Sequence, residues 1–134
     1  MPYRIFVVDD HPVMLEGYRA VLKYEHDLET CGAAASGDEA LAVLTTPGAE
    51  CDLVVTDYRM PGMSGAELVR RLRACRPGFP AIVVSAHVDP AFAREAMAAG
   101  AVAFVQKRDM AAMLVPTIRA VLAEHRRVVP RDDA

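Results

Sequence analysis

The chain has 134 residues, 53% hydrophobic and 25% charged, with a formal net charge of −3. That is one domain's length, enough to bury a core without disulfide or metal staples. The apolar content excludes a disordered chain, the acidic balance gives no general drive toward nucleic acid, and the longest near-apolar run, Ala96 to Val105, is far too short for a membrane helix. The opening MPYRIFVVDD runs straight into two aspartates, so no secretory signal is expected.

Short apolar runs alternate with helical patterns along the chain. Arg4–Asp9 reads as a strand buried on both faces and ending in acid. Pro12–Tyr24 reads as a helix with Met14, Tyr18, Val21 and Leu22 on one face and Pro12 in its first turn. Leu28–Ala35 is a weaker strand, and Asp38–Leu44 a short helix with Ala40, Leu41 and Leu44 inward. Leu53–Thr56 is a third strand closed by Asp57, followed by a loop carrying Pro61, Gly62 and Gly65. Gly65–Cys75 is amphipathic, with Leu68, Leu72 and Cys75 on one side. Ala81–Ser85 is the fourth strand. Asp89-Pro90 opens the next helix and Gly100 ends it. Ala103–Gln106 is the fifth strand, closed by Lys107, and Met110–His125 is a final amphipathic helix in which Pro116 should produce a kink or delay the regular start. The tail from Arg126 is polar and reads as the start of a linker.

Strict strand–helix alternation predicts an α/β fold: a parallel five-stranded sheet, doubly wound by right-handed crossovers. In such sheets ligands bind outside the carboxyl ends of the strands, where the strand order reverses. Four strands end there in chemically competent side chains: Asp9 with Asp10, Asp57, Ser85 and Lys107. With order 2-1-3-4-5 the three acids become neighbours. Three carboxylates together repel one another unless a cation intervenes or a pKa rises. An all-oxygen, half-open site suits Mg²⁺, and an aspartate beside it is a competent nucleophile toward phosphorus, with a hydroxyl and an ammonium to hold the phosphoryl oxygens. The chain has thirteen Arg and two Lys, so a lysine at this edge stands out. Cys31, Cys51 and Cys75, an odd number with no CxxC or Cys/His spacing, read as small buried hydrophobes in a reducing cytosol rather than as a metal or disulfide site.

The motifs VVDDHP (Val7–Pro12), VVTDYRMPGMSG (Val54–Gly65), VVSAH (Val83–His87) and AGAVAFVQK (Ala99–Lys107) occur in order on these elements. In this the chain resembles the receiver domain of bacterial two-component response regulators. GYRAVL and IRAVL resemble most the LuxR-type (NarL/FixJ) subfamily. The resemblance implies a flavodoxin- or CheY-like (βα)₅ sheet of order 2-1-3-4-5, a receiver over residues 1–125, and a linker start or disordered tail over 126–134. It implies that Asp57 accepts a phosphoryl group from a sensor histidine kinase. Asp10, Asp57 and the backbone carbonyl of Arg59 would bind Mg²⁺ or Mn²⁺, with Asp9 acting mainly through a metal-bound water. Lys107 would pair with the phosphoryl oxygens, Ser85 would swing toward them, and Phe104 would be the switch aromatic. Arg59 and His87, flanking the site, are expected to modulate phosphate lifetime. A cytoplasmic bacterial signalling module is expected rather than a turnover enzyme, its chemistry limited to self-catalysed phosphorylation and dephosphorylation. A homodimer on phosphorylation is compatible with the resemblance, and neither nucleic acid nor membrane is an expected partner of this chain itself. A longer parent is expected to bind DNA and control transcription, which makes this an excised receiver. The alternative is a stand-alone or degenerate receiver acting as a protein-interaction module. A Mg²⁺-dependent phosphatase or nucleotide enzyme is disfavoured, because no GxGxxG or GxxxxGK[ST] loop is present.

Overall fold

The computed structural model describes residues 2–128. Among them, five strands alternate with five α-helices: β1 (Tyr3–Val8), α1 (Pro12–Leu22), β2 (Leu28–Ala34), α2 (Gly37–Leu44), β3 (Leu53–Asp57), α3 (Gly65–Cys75), β4 (Ala81–Ser85), α4 (Pro90–Ala99), β5 (Ala103–Gln106) and α5 (Met110–Val128). The sheet is parallel, in the order β2-β1-β3-β4-β5. One apolar layer packs α2, α3 and α4 onto Phe6, Val8, Val54 and Val83. The other packs α1 and α5 onto Ile5, Val7, Val55, Ile82 and Val84. Strands covered on both faces need both sets of side chains apolar, which is why β1, β3 and β4 read as continuous apolar runs.

Local chemistry sets the helix ends. Ser36 and Ser64 accept hydrogen bonds from the backbone N–H groups of Glu39 and Glu67, both at 3.1 Å, at the starts of α2 and α3. Asp89 accepts from Ala91 N at 2.9 Å beside Pro90, and Gly100, at φ 116°, closes α4 in the left-handed region.

Several expectations shift. The first helix stops at Leu22, not Tyr24. The last begins at Met110 behind a 3₁₀ turn over Lys107–Asp109, so Pro116 does not delay it, and it continues to Val128, three residues into the expected tail. Pro116 lies on the exposed side, where the Ala112 carbonyl that loses its partner can meet water. The rest of the expected tail, 129–134, lies outside the described residues. The cysteines are not buried hydrophobes. Cys75, the last residue of α3, is exposed, while Cys31 and Cys51 are half-buried and touch each other.

Candidate functional site

β1 and β3 are adjacent, and Val8 lies level with Thr56, so the next residues on each strand, Asp9 and Asp57, emerge side by side. Ser85 ends the neighbouring strand opposite Gln106, which places Lys107 one residue further along the same edge. The start of α3 is pressed against the back of this edge. Gly65 N–H donates to Tyr58 O at 2.7 Å, and a Cβ on Gly65 would sit 2.2 Å from the Asp57 carbonyl oxygen. Only glycine lets the chain pass there.

Asp9 and Asp57 share Lys107. Its Nζ lies 3.1 Å from Asp9 Oδ2 and 3.3 Å from Asp57 Oδ2. Asp9 is fully buried and its oxygens are otherwise occupied: Oδ1 accepts from His11 N at 3.0 Å and faces His11 Nδ1 at 2.9 Å, and Oδ2 accepts from Tyr18 Oη at 3.1 Å. Burial alone pushes the Asp9 carboxyl up, but the bonds from His11 and Lys107 outweigh it and hold it below the ordinary carboxylate range. Asp57, 4% exposed, shows the opposite balance. Burial first, then the charge of Asp9, raise its pKa despite Lys107. Asp10 is half-buried, and its Oδ1 is enclosed without a hydrogen bond, 3.3 Å from His11 Nδ1. Ligating atoms of Asp9, Asp10, His11 and Asp57 all lie within 4.8 Å of one another.

Asp10, His11, Asp57, Arg59, His87 and Lys107 line a cleft of about 420 Å³. Arg59 and His87 enter from separate loops, and both pack on Phe92 of α4. The Arg59 guanidinium lies 5.5 Å from the ring centre, and the His87 ring stands edge-on at 5.4 Å. Tyr58 also packs on Phe92, at 4.7 Å, and its hydroxyl donates to Glu95. Ser85 is fully buried, and its Oγ accepts from His87 N at 3.0 Å. Phe104 is half-buried on β5 beside Val83, packed against the α2–α4 layer.

The expected residues thus reach one sheet edge in two tiers. Asp10, Asp57, Arg59, His87 and Lys107 face the cleft, whereas Asp9, Ser85 and Phe104 lie behind it. Two residues escaped the sequence reading. His11 sits in the DDHP run directly after the acid pair. Its bond to Asp9 and the Asp10 charge raise its pKa, although its ring is mostly exposed. Tyr18 read as one more apolar residue of α1, yet burial and Asp9 push its phenol up, keeping its proton as a donor to Asp9. A hydroxyl on an otherwise apolar face needs a partner, and that was the available signal.

The family profile of the response regulator receiver domain matches residues 5–119. Over 123 residues the chain is 36% identical to the transcriptional activator protein ExaE of Pseudomonas putida, covering 90% of this chain and 56% of that protein. Among solved structures it resembles a LuxR-family two-component response regulator from Aurantimonas sp. SI85-9A1, with TM-score 0.85, 34% identity, and coverage of 92% and 87% of the two chains. A CheY-like response regulator receiver domain protein from Methanospirillum hungatei JF-1 also superposes, with TM-score 0.85, 27% identity, and coverage of 96% and 99%. The chain spans about half the length of the curated relatives it matches. No helix among the described residues is long and apolar enough to cross a membrane.

Proposed function

The chain belongs to the response regulator receiver domain family of two-component systems, and on that premise we propose that Asp57 accepts a phosphoryl group from a phosphohistidine of a sensor kinase. The observation that carries this is the placing of Asp57 at the mouth of a cleft, 3.3 Å from Lys107 and backed by two further carboxylates. An Asp57 carboxylate oxygen attacks phosphorus, the P–N bond to the donor imidazole breaks, and the imidazole nitrogen leaves with the electron pair. Lys107 is within reach of oxygens on a group attached to Asp57 and receives the negative charge that arrives.

The residues fit a divalent cation. One ammonium pairs with two of the three clustered carboxylates, and Asp10 Oδ1 is enclosed without a hydrogen bond. Asp10, Asp57 and the Arg59 backbone carbonyl would hold it, and hard oxygen donors favour Mg²⁺ or Mn²⁺. Bound there, such an ion neutralises charge between the acids and the incoming phosphoryl oxygens. Asp9, already saturated by His11, Tyr18 and Lys107, acts behind this set and through water.

Ser85 is the proposed switch. Its hydroxyl leaves the His87 N–H and turns toward the phosphoryl group, and Phe104 moves into the space behind it. A homodimer is the proposed product of that change. The Arg59 and His87 side chains, held on Phe92, limit the approach of the hydrolysing water. Substitution of either by alanine is expected to change the autodephosphorylation rate, and unchanged rates in both would remove them from the mechanism. The name of the ExaE relative and the share of its length left uncovered support transcriptional output through a DNA-binding domain of a longer protein. On this reading residues 1–125 are the receiver and 126–134 begin a linker whose first three residues continue α5, and the chain is the substrate of a cytoplasmic kinase rather than a turnover enzyme. The test is incubation with a small acyl phosphate and Mg²⁺. The chain is expected to gain the mass of one phosphoryl group, and neither Asp57→Asn nor wild type in chelator should do so. Equal gain by Asp57→Asn refutes the assignment.

A further inference from the structure

The sulfurs of Cys31 and Cys51, twenty residues apart in sequence, lie 2.7 Å from each other. A local irregularity of β2 brings them together. Ile5 pairs with Thr30 and Phe6 with Gly32, so the register slips by one residue and Cys31 is the unpaired residue of a β-bulge. The slip puts two successive residues on one face. Cys31 packs against the α2–α4 layer, and a Cβ on Gly32 would meet the Phe6 ring of that same layer at 2.9 Å. Cys51 comes from the segment entering β3. There Asp52 is tied to β1: Arg4 N donates to the Asp52 carboxylate at 2.7 Å, and Asp52 N donates to Arg4 O at 2.8 Å. Cys51 opens onto a surface cavity of about 260 Å³ shared with Asp52, Arg76 and Phe79. Cys51 lies just before β3 and Cys31 midway along β2, so the pair is away from the Asp57 cleft at the carboxyl edge.

We propose that Cys31 and Cys51 are a redox site that closes reversibly to a disulfide. A bond of ~2.05 Å requires the sulfurs to close a gap of well under an ångström. The environment supplies a nucleophile: the bond from Cys51 first, and then the Arg4 guanidinium, lower the Cys31 thiol, while that same bond raises Cys51. The oxidant is hydrogen peroxide. The Cys31 thiolate attacks one peroxide oxygen, the O–O bond breaks, and the departing hydroxide takes a proton to become water. Cys31 is then a sulfenic acid. Cys51 sulfur attacks it, the S–O bond breaks, and the hydroxyl leaves as water with the proton from Cys51. The two sulfurs together lose two electrons and the peroxide gains them. A thiol reductant reverses the bridge by exchange.

The experiment uses the full chain and its Cys75→Ser variant, which removes an exposed thiol without touching the core. After hydrogen peroxide treatment and denaturation, titratable thiols should fall from three to one in wild type and from two to none in Cys75→Ser. A Cys31–Cys51 linked peptide should appear, dithiothreitol should restore the thiols, and Tm should rise by roughly 10 °C for a loop of this size. Cys31→Ser and Cys51→Ser, each retaining Cys75, should form no bridge within the chain, and a bridge to Cys75 in either would overturn the assigned pairing. Retention of both thiols in oxidised Cys75→Ser, or their conversion to sulfinic acids without a linked peptide, overturns the proposal.

Discussion

Replacing Asp57 by asparagine should stabilise the metal-free protein, because the wild-type carboxylate is held where charge is unwelcome. Lys107 at 3.3 Å attracts the Asp57 charge by ~5 kcal/mol at an effective dielectric of ~20. Asp9 and Asp10, with ligating atoms within 4.8 Å, each repel it by ~3.5 kcal/mol on the same scale, less for Asp10, whose side chain is 25% exposed. Repulsion exceeds attraction by ~1–2 kcal/mol, and the desolvation of a nearly buried carboxylate adds to the difference. The ammonium loses little in the variant, since Asp9 Oδ2 remains 3.1 Å away. Asp57→Asn keeps the shape, so a gain of ~2 kcal/mol is expected, or a Tm higher by ~5–8 °C for a chain of this size. Thermal melts in chelator at pH 7 measure it. The sign with pH follows from the raised Asp57 pKa. Wild type regains stability as pH falls through that pKa and Asp57 becomes neutral, so the gap narrows on acidification. Saturating Mg²⁺ should narrow it from the other side by stabilising wild type more than the variant. An Asp57→Asn melt at or below wild type in chelator would refute the electrostatic reasoning.

Three further substitutions follow from the same geometry. Lys107→Met leaves Asp9 and Asp57 facing each other without a cation and should destabilise the fold by ~3–5 kcal/mol in chelator, read by urea denaturation. Tyr18→Phe removes the hydroxyl that Asp9 Oδ2 accepts from, and should cost ~1–2 kcal/mol in the same assay while leaving the acyl phosphate reaction measurable. Gly65→Ala puts a methyl carbon 2.2 Å from the Asp57 carbonyl oxygen, where backbone must move; a loss above ~3 kcal/mol or failure to fold is expected, and a Tm within a degree or two of wild type would show that the contact is loose.

The strand ends were legible because a doubly covered parallel sheet demands apolar strands, so an acid, a hydroxyl or a lysine closing each one marks its carboxyl edge. Element order followed from that alternation, whereas the strand order 2-1-3-4-5 came only with the family resemblance. Element ends were less legible. Little in the sequence EHRRV distinguishes a helix that continues to Val128 from the start of a linker, since a charged run suits both. Which acid is saturated was not legible from the residues themselves; only the resemblance separated them, giving Asp10 a direct role and Asp9 an indirect one. Asp9 and Asp10 are adjacent in sequence, yet one is pinned by Tyr18, His11 and Lys107 and the other is not, because successive residues leaving a strand point in different directions. The cysteine contact hid for a similar reason: it depends on a one-residue register slip in β2, which breaks the very alternation used to read the strand.

The most direct measurement is chemical trapping of the phosphorylated residue. After reaction with a small acyl phosphate and Mg²⁺, borohydride reduction converts a phosphoaspartate to homoserine at the position that carried it, and peptide mass mapping locates that position. Homoserine at residue 57 alone is the expected result. Homoserine at residue 9 or 10, or phosphate retained on a serine or histidine peptide with Asp57 intact, would contradict the assignment of Asp57 as the acceptor.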